Sequence, residues 1–316
     1  MRDAVPDPTL EDDIDLPAAP EADNAALGIG LRIAAMVCMA GLGALVKWCA
    51  MHGVPVLEII FFRNAFAFIP VGAYIFGTKG LSVLYTARPM AHFTRAGIGL
   101  VGMTCGFTAT AMLPLAQATA ISFAAPLFMV GLSAWILKEK VERHRWAAVA
   151  VGFVGVLIML NPETAGAFSV GVLFALAGAV GSAGAVTTIR EIGKTESGPT
   201  IVFYFTLAGT LWGLASLPIG LLFPQTGLGW VVPNLGVLAG LIAAGVVGGI
   251  GQLLHTQALK VAPVAVVAPF DYTQLLWAAI LGYLIWDDTP SPTTLTGAAV
   301  VAASGVYILW RETRKK

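Results

Sequence analysis

The stretch APVAVVAPFDYTQLLWAAILGYLIW, residues 262–286, constrains this chain more than any other. It is long and apolar enough to cross a bilayer, yet it carries Pro269 and Asp271 near its middle. At about 1.5 Å of rise per residue, Asp271 lies roughly 13 Å along a helix beginning at Ala262. That is close to the midplane of a hydrocarbon core about 30 Å thick. A carboxylate at such a depth is costly and marks a functional site.

Nine further apolar spans surround it, at 26–50, 55–76, 91–112, 118–137, 146–161, 169–189, 200–222, 233–254 and 293–310. Charged residues make up 11% of the 316, against about 25% in soluble domains. The pattern predicts an all-α integral membrane protein of ten transmembrane helices, forming one membrane domain. Residues 1–25 hold eight acids against one base, Arg2, a composition that stays disordered. With no basic segment leading into an apolar run, they do not read as a secretory signal. Cys38, Cys49 and Cys105 fall within spans, without metal-ligand spacing, and read as small apolar fillers. No metal, cofactor or nucleic-acid partner is expected.

Lysine and arginine set the orientation. Alternate connections carry Lys79 and Arg88; Lys138, Lys140, Arg143 and Arg145; Arg190 and Lys194; Lys260; and the basic tail 311–316. The other set (51–54, 113–117, 162–168, 223–232, 287–292) contains neither residue type. Both termini are therefore expected in the cytoplasm. Six of the eight tryptophans lie near span ends, as an aromatic belt requires, leaving Trp212 and Trp277 for packing or a cavity.

The chain also repeats itself. Residues 126–159 and 275–309 each run from an apolar span through an acid (Glu139, Asp288) and a polar turn. Each then enters a Gly/Ala-rich span with Gly-Val near its end, Gly155-Val156 and Gly305-Val306. The halves, 26–161 and 162–310, hold five spans each. An odd number per half turns the second copy upside down. Inverted repeats place a substrate site near the midplane at their interface, beside broken helices. Pro126 and Pro269 are candidate breaks.

With these features the sequence resembles the drug/metabolite transporter superfamily, in its EamA-domain branch, over nearly all of the chain after residue 25. The resemblance rests on the paired five-span halves, Leu137-Lys138-Glu139 ahead of Trp146, ALVKW (44–48), Phe61-Phe62-Arg63 and PFDYTQLLWA (269–278). The last three look like the bacterial subgroup of riboflavin and S-adenosylmethionine carriers. Lys138 stands where the family commonly has Gly, and Trp286-Asp287-Asp288 departs similarly. The resemblance implies transport, across a bacterial inner membrane, of substrates that vary widely within the family.

Arg63 lies roughly 12 Å inside its span and should face the bundle interior. It reads either as a bidentate clamp for a substrate carboxylate or phosphate, or as the fixed counter-charge of Asp271. Asp271 itself suits a cationic substrate group or a proton. Gln274, Tyr272 and Trp277 share its wall, Trp277 offering a face for stacking. Ser122 is the roughly corresponding position in the first half. Lys47 and Glu58 are expected to pair across the 51–54 turn, as a plain ion pair or as an outer gate. Arg32 and Arg95 read as interface anchors. His255, near the inner end of its span, reads as a hydrogen-bonded helix-end group or as a proton shuttle.

Gly97-Ile-Gly99-Leu-Val-Gly102 matches a dinucleotide fingerprint, but it lies inside a span with no strand before it. Its glycines suit close helix packing instead. No nucleophile–base set appears, so no catalytic residue is assigned. The sequence thus predicts a secondary transporter of a small vitamin-, cofactor- or amino-acid-like metabolite, as monomer or homodimer, using substrate or proton gradients. An exporter of amino acids or toxic metabolites is the alternative within the class. A non-transporting scaffold and an intramembrane enzyme are the alternatives outside it.

Overall fold

The computed structural model describes residues 25–313 apart from 79, 81–83, 87, 137–142, 160–168, 194, 223–228 and 263. The expected acidic tail over 1–25 (apart from Ala25, which opens the first helix), the turn with Lys138, Glu139 and Lys140, and Lys315 and Lys316 lie outside the described residues. Among the described residues there are helices and no strands. They are α1 (Ala25–Met51), α2 (Val56–Thr78), α3 (Pro89–Met112), α4 (Leu115–Ser122), α5 (Ala125–Ile136), α6 (Arg143–Met159) and α7 (Val170–Ile192). The second half continues with α8 (Gly198–Leu214), α9 (Ser216–Leu222), α10 (Leu235–Val261), α11 (Val264–Val267), α12 (Thr273–Trp286) and α13 (Pro292–Thr313). Six segments are long and apolar enough to cross a membrane: Ala25–Met51, Val56–Gly77, Leu115–Leu132, Val170–Ile189, Gly198–Gly220 and Leu235–Leu259.

Three expected spans are broken. The 118–137 span is α4 and α5, parted at Phe123 and Ala124 just ahead of Pro126. The 200–222 span is α8 and α9, parted at Ala215. The 262–286 span is α11, a 3₁₀ turn over Ala268–Tyr272 containing Pro269, and α12. Side chains cap the carbonyls these breaks release, as lipid-buried backbone requires. Ser122 donates to the Thr119 carbonyl at 2.6 Å and Thr273 to that of Phe270 at 2.7 Å. The two breaks touch, with the Phe123 and Tyr272 rings 5.0 Å apart.

One span is longer than expected. α10 runs on to Val261, because nothing in HTQALKV stops a helix until Ala262, the residue before Pro263. Ala262 is extended (φ −146°, ψ 149°), as the proline ring behind it demands. His255 is therefore well inside a helix rather than at its end.

Glycine lets the helices approach. α3 runs along α7, α1 along α10 and α6 along α13. A Cβ on Gly102 would stand 2.8 Å from the Gly181 Cα, and one on Gly178 2.9 Å from the Gly106 nitrogen. Backbones in direct contact are the small-residue packing expected of membrane helices. Of the fingerprint-like glycines, Gly102 serves this purpose, Gly99 leaves room for the Arg95 and Phe205 side chains, and Gly97 faces open space.

Candidate functional site

The broken helices and the glycine contacts border a partly open cavity of about 480 Å³. Its walls come from α1, α2, α3, α4, α7, α8, α10 and α12. Arg63, Ser122, Gln274 and His255 line it, together with Arg95 and Gln252. Sequence reasoning thus brings four of its candidates to one cavity.

Asp271 and its partner differ from expectation. Arg63 is not the counter-charge: Arg32 grips the Asp271 carboxylate in bidentate fashion, Nε to Oδ1 and Nη2 to Oδ2, the second at 2.6 Å. Arg32 is accordingly buried, 4% exposed, and is not an interface anchor. The reason is lateral: α1 packs against the 3₁₀ turn and α12, whereas α2 packs chiefly against α8 and α10. Depth along a span cannot distinguish these neighbours. His255 lines the cavity, one helical turn from Gln252, which lines it too.

Arg63 is 7% exposed and donates from Nη1 to the Asn64 side-chain oxygen at 2.8 Å. Asn64 is fixed in turn by its bond to the Ile60 carbonyl at 2.8 Å. Arg95, expected at the interface, is 8% exposed and lies over the Phe205 ring, 3.9 Å from its centroid. Its sequence does hold a signal. Gly99 follows one helical turn later, and a Cβ there would come within 3.0 Å of Arg95 Nη1.

Lys47 and Glu58 do not pair. Lys47 donates to Asp288 at 3.0 Å and to the Leu113 carbonyl at 3.1 Å, with its ammonium 5.1 Å from the Trp286 ring centroid. The end of α1 therefore meets the end of α12, where Asp287 turns the chain through a left-handed conformation (φ 57°). Glu58 is fully buried in the first turn of α2, where the helix dipole favours an acid. It accepts from the Val231 backbone N–H at 3.0 Å, and its Oε1 is buried without a partner.

Tyr272 and Trp277 do not line this cavity. The Tyr272 hydroxyl occupies the space a side chain on Gly305 would need. Trp277 packs with Ala40, Ala44, Leu115 and Ala278, its indole nitrogen buried without a partner. Trp212 is 41% exposed and donates to Thr104 at 3.3 Å.

A polytopic helical bundle around a cavity with buried cations is the architecture of a membrane carrier. The model of the EamA-like transporter family matches this chain twice, over residues 26–161 and 169–311, and the chain belongs to that family. It is a transporter rather than an enzyme. It is similar to an S-adenosylmethionine uptake transporter of Rickettsia prowazekii, 28% identical over 83% of this chain and 84% of that protein. It is also similar to a pseudopaline exporter of Pseudomonas aeruginosa, 28% identical over 89% of this chain and 95% of that protein. A crystal structure 18% identical in sequence shares the fold, with a TM-score of 0.61 over 92% of this chain and 99% of the other.

Proposed function

We propose that the chain is a secondary active transporter of the bacterial inner membrane, carrying a small organic metabolite by alternating access between two inverted five-span halves. The observation that carries the reading is the charge-lined cavity between broken helices of both halves. The paired family matches and the 126–159/275–309 duplication support two halves, 26–161 and 162–310. The lysine- and arginine-free connections support cytoplasmic termini.

Arg63, Ser122 and Gln274 bind substrate in the cavity. Asp271, tied to Arg32, exchanges its partner or a proton as the halves rock. Tyr272 and Trp277 hold the broken span in place rather than touch substrate. Lys47 with Asp288 closes the end whose connections lack Lys and Arg, and Glu58 buttresses the Val231 backbone there.

The substrate belongs with cofactor- or amino-acid-like compounds, and S-adenosylmethionine heads the candidates because one similar protein imports it. Export is the second reading, favoured by the similarity to the pseudopaline exporter. A thermal-shift screen of the purified protein against S-adenosylmethionine, flavins and amino acids tests the reading, since a ligand of the folded state raises the melting point by mass action. A saturable shift with one member, weakened by Gln274→Ala, is expected. No shift across the panel would remove this substrate class. Uptake by right-side-out versus inside-out vesicles separates import from export.

A further inference from the structure

The cavity holds a second charged feature, separate from the Arg32–Asp271 pair. Arg63 from α2 and Arg95 from α3 line this cavity and, with Phe205 and Gln252, a small pocket beside it. Both are more than nine-tenths buried. Each keeps guanidinium nitrogens without a partner: Nε of Arg63, and Nε and Nη1 of Arg95. Their surroundings are Asn64, Phe205, Gln252 and small residues of α3, α7 and α10, with no carboxylate among the described residues lining the cavity.

Two like charges in a low-dielectric interior repel, and an unpaired buried charge costs several kcal/mol. The fold nevertheless makes room for both. Gly99 leaves space for Arg95, and a Cβ on Gly248 would lie 3.4 Å from Arg63 Nε. Asn64 orients Arg63, and Gly209 leaves space for Asn64, whose amide carbon would meet a Cβ there at 2.5 Å.

We propose that Arg63 and Arg95 form a two-arginine oxyanion subsite that receives the carboxylate or phosphate of the transported molecule. The inference rests on the transport reading and adds the substrate's charge. One oxyanion accepts from both planar guanidinium forks, neutralises their repulsion and leaves the rest of the ligand toward Ser122, Gln274 and His255. Arg95 is a substrate-contacting residue in this account. Phe205, under its guanidinium, is a positioning residue.

The test uses the full chain in nanodiscs of zwitterionic lipid, with melting followed by tryptophan fluorescence at constant ionic strength in sodium chloride. Sodium succinate, inorganic phosphate and neutral dimethyl succinate are titrated in turn. Succinate or phosphate is expected to raise the midpoint saturably, by about 5 °C at large excess over its dissociation constant. Dimethyl succinate should leave it unmoved, and R63Q and R95Q should each abolish the shift. Succinate alone indicates a carboxylate ligand, and phosphate alone a phosphate ester.

Arg95→Met supplies a reading that needs no ligand. Replacing an unpaired buried cation by an apolar side chain should raise the midpoint of the ligand-free protein, whereas a merely structural Arg95 would lower it. An absent anion shift, a shift that survives R95Q, or a lowered midpoint in Arg95→Met would overturn the subsite. The transport reading stands or falls separately, on whether the metabolite panel binds and crosses the membrane.

Discussion

Replacing Asp271 by Asn tests the pair that joins α1 to the broken span. The change keeps shape but removes the acceptor charge from an Arg32 whose side chain is 5% exposed, while the Asp271 side chain is 31% exposed. Breaking a fully buried pair costs about 3–5 kcal/mol, and an exposed one contributes about 0–1 kcal/mol. With one partner sealed and the other partly open, Asp271→Asn should cost about 2 kcal/mol. Arg32→Met combined with Asp271→Asn should recover much of that loss, because no orphaned charge remains. The assay is a double-mutant cycle on reversible unfolding in mixed micelles. A coupling between Arg32 and Asp271 below about 0.5 kcal/mol would refute the pairing. Arg63→Gln in the same cycle should show little coupling to Asp271→Asn; strong coupling there would restore the pairing expected from depth alone.

Other contacts give sharper, smaller tests. Gly102→Val should cost about 1–3 kcal/mol by forcing α3 from α7, whereas Gly97→Ala should be tolerated; equal effects in a thermal melt would contradict the backbone contact. Gly305→Ala should destabilise because its methyl meets the Tyr272 hydroxyl, and Tyr272→Phe in the same chain should recover part of the lost melting point, since the ring carbon still lies 3.1 Å from the new methyl. Lys47→Met should cost about 1–2 kcal/mol by stranding Asp288 and the Leu113 carbonyl. Glu58→Gln should add to it without coupling, and a large coupling term would revive a Lys47–Glu58 pair.

Much of the architecture is legible in the sequence because the bilayer sets strict terms. Apolar length marks the six segments long enough to cross a membrane, Pro126 and Pro269 predict two of the three breaks, and Gly102 predicts a close crossing. The errors concern partners and rotation. Arg63 and Arg32 are both arginines inside spans, and counting residues from an assumed boundary gives depth but not which helix lies alongside. Lys47 prefers Asp288 over Glu58 because α1 runs beside α12, a long-range fact absent from the local turn. Trp277 and Tyr272 sit on the expected wall but turn into helix contacts, since only part of a helical turn can face a cavity. Arg95 was hidden by its place near the start of a span, where an interface anchor is the ordinary reading.

Counterflow in proteoliposomes tests the central claim most directly. Vesicles carrying the purified chain are preloaded with an unlabelled metabolite of the panel, and entry of its trace labelled form is followed. Transport through the described cavity predicts transient accumulation with at least one substrate, saturable and reduced at least tenfold by Arg63→Gln in protein that still folds. Labelled entry no faster than in empty liposomes for every member, or an unchanged rate in Arg63→Gln, would contradict it.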